Sequence, residues 1–258
     1  MSKNFAHWEK AKREGQKLAF ITAYDFWSAA LAEAAGLDGI LIGDSLGMMI
    51  AGHPDTLSVT LDQMIYHTEI VARAVQKPLV MADLPFASFE ASPSQAFEAA
   101  SKLIKAGAHI VKLEGGAVMA ETIAFLSARA IPCCAHIGLT PQHIRQFGGF
   151  KRQGKTPEAA KILLDDAKTL TAAGARMLLM EAIPTDLATE ITQTIPIPTI
   201  GIGAGPGTDS QILVMHDVLG LNPDRAPPFA RAYVNGAAIL RAALTQYAED
   251  VRTKTFPE

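Results

Sequence analysis

Six ionisable side chains stand at the ends of short apolar runs. Asp44 follows Ile40-Leu41-Ile42-Gly43, Asp83 follows Val80-Met81-Ala82, Lys112 and Glu114 close Ile110-Val111-Lys112-Leu113-Glu114, His136 closes Cys134-Ala135-His136, and Glu181 closes Leu178-Leu179-Met180-Glu181. Three acids crowded at one point repel each other and are raised in pKa unless a cation neutralises them. Oxygen ligands without a Cys or His cluster favour a hard divalent ion such as magnesium, with waters or substrate completing six sites. A carboxylate just after a strand is also a common N-cap for the next helix, and for any one of these acids that reading competes. It is a less economical account of Asp44, Asp83, Glu114 and Glu181 together.

Lys112 and Glu114 are two residues apart, so on a strand both side chains take one face. A buried lysine there either pairs with Glu114 or holds a substrate carboxylate as a point charge. His136 reads as a metal ligand, a proton shuttle or a satisfied core histidine, the last being the commonest case for a lone histidine at a strand end; no other histidine has the spacing of a metal site. Gly201-Ile202-Gly203-Ala204-Gly205 lacks the third glycine of the dinucleotide fingerprint, because Pro206 stands there. It can cradle an anion or simply make a tight turn.

These residues need elements to hold them, and the apolar runs supply strands at 18–23, 39–42, 79–82, 110–113, 133–137, 177–180 and 199–202. The runs are nearly continuous in apolar character, as parallel strands buried on both faces require. Between them lie helical periods at 61–75, 94–105 and 158–173, the last two opened by Ser92-Pro93 and Thr156-Pro157. Ala35-Gly36, Ala106-Gly107 and Ala173-Gly174 each suit a helix stopped by a left-handed glycine before the next strand. An eighth strand is expected near 218–220, followed by a helix over 230–247. Eight βα units over residues 1–258 predict a single α/β domain, a TIM (β/α)8 barrel, with a doubly wound open sheet as the competing architecture. In such a barrel the strand ends form the catalytic mouth. The non-periodic stretch 138–155, with Lys151-Arg152, then lies on that face, as a lid or as a plain solvated loop.

Hydrophobic residues make up 49% of the chain and charged residues 19%, which excludes a largely disordered or fibrous protein. A net charge of −3 gives no electrostatic case for nucleic acid or an anionic membrane as partner. The stretch Met1 to Lys10 is charged without an apolar core, and no run of 18 apolar residues exists, so neither a signal peptide nor a membrane span is expected. Cys133 and Cys134 are adjacent, without redox or zinc spacing, and fit a reduced, cytoplasmic chain.

Seven motifs taken together carry a resemblance. They are Thr22-Ala23-Tyr24-Asp25, Gly43-Asp44-Ser45-Leu46-Gly47-Met48, Ala82-Asp83-Leu84-Pro85-Phe86, Val111-Lys112-Leu113-Glu114-Gly115-Gly116, His136-Ile137-Gly138-Leu139-Thr140-Pro141-Gln142, Glu181-Ala182-Ile183-Pro184 and the glycine run at Gly201. In this order they closely resemble the ketopantoate hydroxymethyltransferase family. The resemblance implies a barrel of the phosphoenolpyruvate/pyruvate superfamily that transfers a hydroxymethyl group from 5,10-methylenetetrahydrofolate to 3-methyl-2-oxobutanoate in pantothenate biosynthesis. It implies magnesium, or another divalent cation, at Asp44, Asp83 and Glu114. It also implies keto-acid contacts from Asp44, Ser45, Asp83, Lys112 and His136, Glu181 as proton acceptor, and a cytoplasmic homodecamer. The chain departs from the family at Thr208-Asp209-Ser210-Gln211, where Cys-Asp-Gly-Gln is usual, and at Pro228, where Lys is common. Magnesium-dependent lyases and mutases of the superfamily share the Gly-Asp-Ser strand end, and the motifs at Val111 and His136 separate this chain from them.

Overall fold

Eight parallel strands, hydrogen-bonded in sequence order, close into a barrel: β1 (Leu18–Thr22), β2 (Gly39–Ile42), β3 (Leu79–Asp83), β4 (Ile110–Glu114), β5 (Cys133–Gly138), β6 (Met177–Glu181), β7 (Thr199–Ile202) and β8 (Ser210–Leu213). The computed structural model describes residues 5–222 and 226–257; Met1 to Asn4 of the charged N-terminal stretch lie outside the described residues. The chain falls into two compact units, Met1–Ile212 and Leu213–Glu258. β2 to β5 are buried along their whole length, which is why their sequences read as unbroken apolar runs. Each of the first seven strands ends within one residue of its expected limit.

The eighth strand is not at 218–220. Val218 closes a short helix, Met215–Val218, and the strand lies earlier, at Ser210–Leu213. Ser210-Gln211-Ile212-Leu213 alternates, with Gln211 exposed between buried Ser210 and Ile212, so it lacks the continuous apolar character of its neighbours. No helix separates β7 from β8; the glycine run makes the return. Gly205 (φ +79°) and Gly207 lie so close to Thr185 and Thr189 that a Cβ would come within 2.4 and 2.0 Å of their hydroxyls. Close packing against the helix Thr185–Thr194 therefore explains these glycines.

Helix ends follow the expected chemistry. Ser92 and Thr156 cap the helices Pro93–Lys105 and Pro157–Ala172, each with proline at the first turn, and Thr60 forms a capping box with Gln63 on Leu61–Ala74. Gly36, Gly107 and Gly174 all take positive φ after their helices. The N-terminal helix, α1 (Phe5–Glu14), places Trp8 and Ala11 in a cluster with Leu18, Phe20, Leu41, Leu79, Ile110, Met177 and Ile200. Leu79, Ile110 and Met177 are the first residues of their strands, so α1 closes the end of the barrel where the strands begin. Cys133 and Cys134 are buried, unbridged strand residues.

In the second unit a long helix runs over Gly236–Thr253 and not 230–247. Asn235 sets its start by accepting from Ala238 N, which leaves Ala230 to Val234 ahead of the helix. Pro228 is exposed.

Candidate active site

The strand register lines up the ionisable residues around one mouth. Asp83 on β3 pairs with Lys112 on β4, Glu114 with His136 on β5, and Gly138 with Glu181 on β6. Asp44 stands two residues beyond β2. Asp44, Asp83, Lys112, Glu114 and His136 are all buried, at 4% exposure or less, whereas the Glu181 side chain keeps 15%.

Lys112 sits at the centre. Its Nζ lies 3.1 Å from Asp83 Oδ1, 3.8 Å from Glu114 Oε1 and 3.3 Å from His136 Nδ1. The expectation that Lys112 and Glu114 share the inner face therefore holds. An ammonium can only donate, so His136 Nδ1 accepts and the ring proton falls on Nε2, which faces Glu181 Oε2 in a loose contact of 3.4 Å. Asp44 and Asp83 touch through the Asp44 main-chain N–H, which donates to Asp83 Oδ2 at 3.0 Å. Ser45 Oγ shares a hydrogen with the buried Tyr24 hydroxyl at 2.8 Å.

Gln142, which the sequence offered only as the last letter of a motif, ties this arrangement together. Its side-chain amide donates to Asp44 Oδ2 and to Leu84 O, both at 2.9 Å, and its main-chain N–H donates to Glu114 Oε2 at 2.9 Å. Nothing in composition or periodicity marks a glutamine in the single 3-10 turn Pro141–His143 as the crosspiece of a charged site. None of the four acids caps the helix that follows it; the N-cap positions there are Ser45, Ser92, Gly116 and Pro184. Ala182, directly after Glu181, takes φ +47°, a conformation that costs a non-glycine residue on the order of 1 kcal/mol. That turn ends β6 at the carboxylate.

Burial dominates the electrostatics. It pushes Asp44 up to about 6, with Glu114 adding to the shift and Lys112 and Gln142 opposing it. Asp83 and Glu114 are each pushed up to about 7 by burial, against the pull of Lys112. Burial alone would lower Lys112, but Asp83, Glu114 and Asp44 outweigh it and hold the ammonium well above its ordinary value. His136 is lowered to about 4 by burial and by Lys112, with Glu181 opposing, and so stays neutral. Glu181 is raised by burial, with His136 working against the shift.

Three buried carboxylates against one ammonium leave two uncompensated negative charges, and the donors are all oxygens. Asp83 Oδ1, Glu114 Oε1 and Gln142 Oε1 accept no well-formed hydrogen bond; both carboxylate oxygens face the charge of Lys112, and Glu114 Oε1 also lies 3.5 Å from His136 Nδ1. This donor set fits a hard divalent cation. Among the described residues no three His, Cys, Asp or Glu side chains converge on one coordination point, because Lys112 stands between Asp83 and Glu114.

Known proteins match this chain in sequence and in fold. Residues 2–258 fit the family model for ketopantoate hydroxymethyltransferase. The 3-methyl-2-oxobutanoate hydroxymethyltransferase of Acidithiobacillus ferrooxidans is 55% identical over 257 residues, covering 100% of this chain and 98% of the relative. That of Neisseria gonorrhoeae is 49% identical over 249 residues, covering 96% and 94%. Among solved structures, phosphonopyruvate hydrolase in complex with oxalate and Mg++ superposes with a TM-score of 0.65 at 15% identity, covering 98% of this chain and 99% of the other. The 2,3-dimethylmalate lyase, a member of the PEP mutase/isocitrate lyase superfamily, superposes at 0.66 with 17% identity, covering 97% and 89%. These two likenesses concern the fold. With a matching model over nearly all its length and relatives at half identity, the chain belongs to the ketopantoate hydroxymethyltransferase family.

Proposed function

We propose that the chain transfers a one-carbon unit from 5,10-methylenetetrahydrofolate, with water supplying the hydroxyl, to C3 of 3-methyl-2-oxobutanoate. The products are ketopantoate and tetrahydrofolate, the first step of the pantothenate branch. The observation that carries the mechanism is the isolation of Glu181: it is the mouth's partly exposed acid, outside the Asp44, Asp83, Lys112 and Glu114 cluster, and burial raises it above an ordinary carboxylate.

Asp44, Asp83 and Glu114 are the residues that would hold magnesium or another divalent cation. When bound, that ion supplies positive charge against the enolate that develops on the keto acid. Lys112, fixed between Asp83 and Glu114, offers a second positive charge to the substrate carboxylate. Ser45, oriented by Tyr24, and His136 complete the keto-acid contacts. His136 presents its N–H toward Glu181 and keeps that carboxylate aimed. Water adds to the bridging methylene and both of its carbon–nitrogen bonds to the folate break, the two folate nitrogens taking up the protons of that water, so the one-carbon unit is released at the oxidation level of formaldehyde. Glu181 removes the C3 proton, C3 attacks that carbon, and its oxygen takes up the proton to become the hydroxyl.

Cytoplasmic location and a homodecamer belong to the same reading. The described residues hold no helix long and apolar enough to cross a membrane, and Leu240, Leu244 and Tyr247 leave an apolar stripe exposed that assembly could cover.

Glu181→Gln tests the assignment of the base. Deprotonation precedes attack, so native protein with magnesium and keto acid should exchange the C3 proton with deuterium oxide in the absence of folate. The variant should exchange about 10²- to 10⁴-fold more slowly while still binding keto acid by calorimetry. Exchange at the native rate would remove Glu181 from the role, and loss of binding would place it in the binding site instead.

A further inference from the structure

The segment between β5 and the helix Pro157–Ala172 has a course that the proposed chemistry does not use. It starts under the mouth, where Gln142 holds Asp44 and Glu114. Arg145 then pairs with Asp55, in the loop after β2, at 3.0 Å. Seven residues later Arg152 donates to Ile183 O at 3.0 Å and Gln153 N to Ala182 O at 3.0 Å, both just after β6. β2 and β6 are four strands apart in a closed barrel of eight, so they stand on opposite sides. The segment is thus a strap laid across the mouth and pinned at both rims.

Its composition is one-sided. Residues 138–157 contain Arg145, Lys151, Arg152 and Lys155 and no acid, in a chain whose net charge is −3. Asp55 answers Arg145. Lys151 and Lys155 are exposed and form no ion pair among the described residues, and Phe150 stands beside them at 52% exposure. A solvated loop has no need of that bias, whereas an anion bound at the mouth does.

The proposed one-carbon donor has the matching shape. Its reactive carbon lies on the pterin, which must reach Glu181, and its other end is an aryl-glutamate tail carrying one carboxylate or more for each glutamate. With the pterin in the mouth, the tail leaves over the rim. On that reading of the function, we infer that Lys151 and Lys155, with Arg152 and Phe150 beside them, dock the carboxylate tail of the folate.

Calorimetry with tetrahydrofolate carrying one or three glutamates tests this directly, on native protein, on the Lys151→Glu/Lys155→Glu double variant and on the Lys151→Gln/Lys155→Gln pair. Native protein should bind the three-glutamate form more tightly. The Glu pair should lose about tenfold in affinity for it, since two exposed charge contacts are worth up to roughly 1 kcal/mol each. The loss should be smaller for the one-glutamate form and intermediate for the Gln pair, with the unfolding temperature of the Gln pair confirming its fold. Steady-state KM for the donor should rise in parallel, with kcat moving less. Equal native affinity for both tail lengths, or an equal loss for both in the variants, would overturn the site, as would a rise in KM for the keto acid in place of the donor. Tail-dependent binding by a protein that yields no ketopantoate would uphold the site and refute the proposed reaction. Ketopantoate formation with tail-independent binding would refute the site alone.

Discussion

Where the strands begin, Leu79, Ile110 and Met177 pack beneath Trp8; where the same strands finish, they carry Asp83, Glu114 and Glu181. About 13 Å of five-residue strand separates the two ends. At the first, the Trp8 and Phe20 rings stack at 4.7 Å and apolar area leaves water, which favours the folded chain. At the second, three acids are buried with a single ammonium, and burial raises all three. The floor stabilises and the mouth destabilises. Substitutions at the two ends should accordingly move stability and activity in different directions.

The widest separation is expected at the mouth. Asp44→Ala and Asp83→Ala should each abolish magnesium-dependent turnover, because a small site that loses one hard oxygen loses both the ion and the chelated substrate. The metal-free variants should stay folded, since each removes a charge that burial disfavours. Product formation across a magnesium titration, beside thermal unfolding, reads both effects. Full activity at ordinary magnesium would dissolve the metal assignment.

The converse belongs to the floor. Trp8 is 2% exposed in the cluster that α1 seals, and Trp8→Ala should cost about 3–5 kcal/mol of stability. Turnover per folded molecule should survive. Urea unfolding supplies the first number and active-site-normalised rates the second; a fall in kcat at full folding would show that the two ends are coupled.

The same contrast governs what could be read from the sequence. The barrel was legible because strands buried on both faces leave continuous apolar runs, and because Ser92, Thr156 and the Ala-Gly stops are local signals. β8 escaped because Gln211 breaks its run and a glycine return, packed on Thr185 and Thr189, replaces the helix before it. In the mouth, Lys112 and Glu114 were legible through their spacing of two, and the other strand-end acids through their position. Gln142 and the Asp55–Arg145 pair were not, since each contact joins residues far apart in sequence, and Gln142 and Arg145 sit in helical turns of three and four residues, too short to show a period.

The smallest expected effect is in the pH dependence of the metal-free protein, and its sign follows from the directions of the shifts. Asp44, Asp83 and Glu114 have folded values of about 6, 7 and 7 against ordinary values of 3.8, 3.8 and 4.5. Their raised values mean that the native state holds protons the unfolded chain has released. The associated stability is complete below about pH 4 and is lost as pH rises through 6 to 7. His136 works the other way: lowered from 6.5 to about 4, its contribution is present above 6.5 and is lost as pH falls toward 4. The two opposing trends overlap between about pH 4 and 6.5, and above that range only the acids still titrate. Metal-free protein should therefore lose roughly 2–4 °C of unfolding temperature between pH 6.5 and 8, the shift that about 1 kcal/mol produces in a chain of this size. Magnesium, which answers the ionised acids, should raise the unfolding temperature more at pH 8 than at pH 5.5, and Asp83→Asn should flatten the metal-free slope. A flat native profile, or a magnesium effect equal at both pH values, would mean that Lys112 and the buried amides already balance the mouth, and the opposition between the two ends would reduce to one of chemistry without energy.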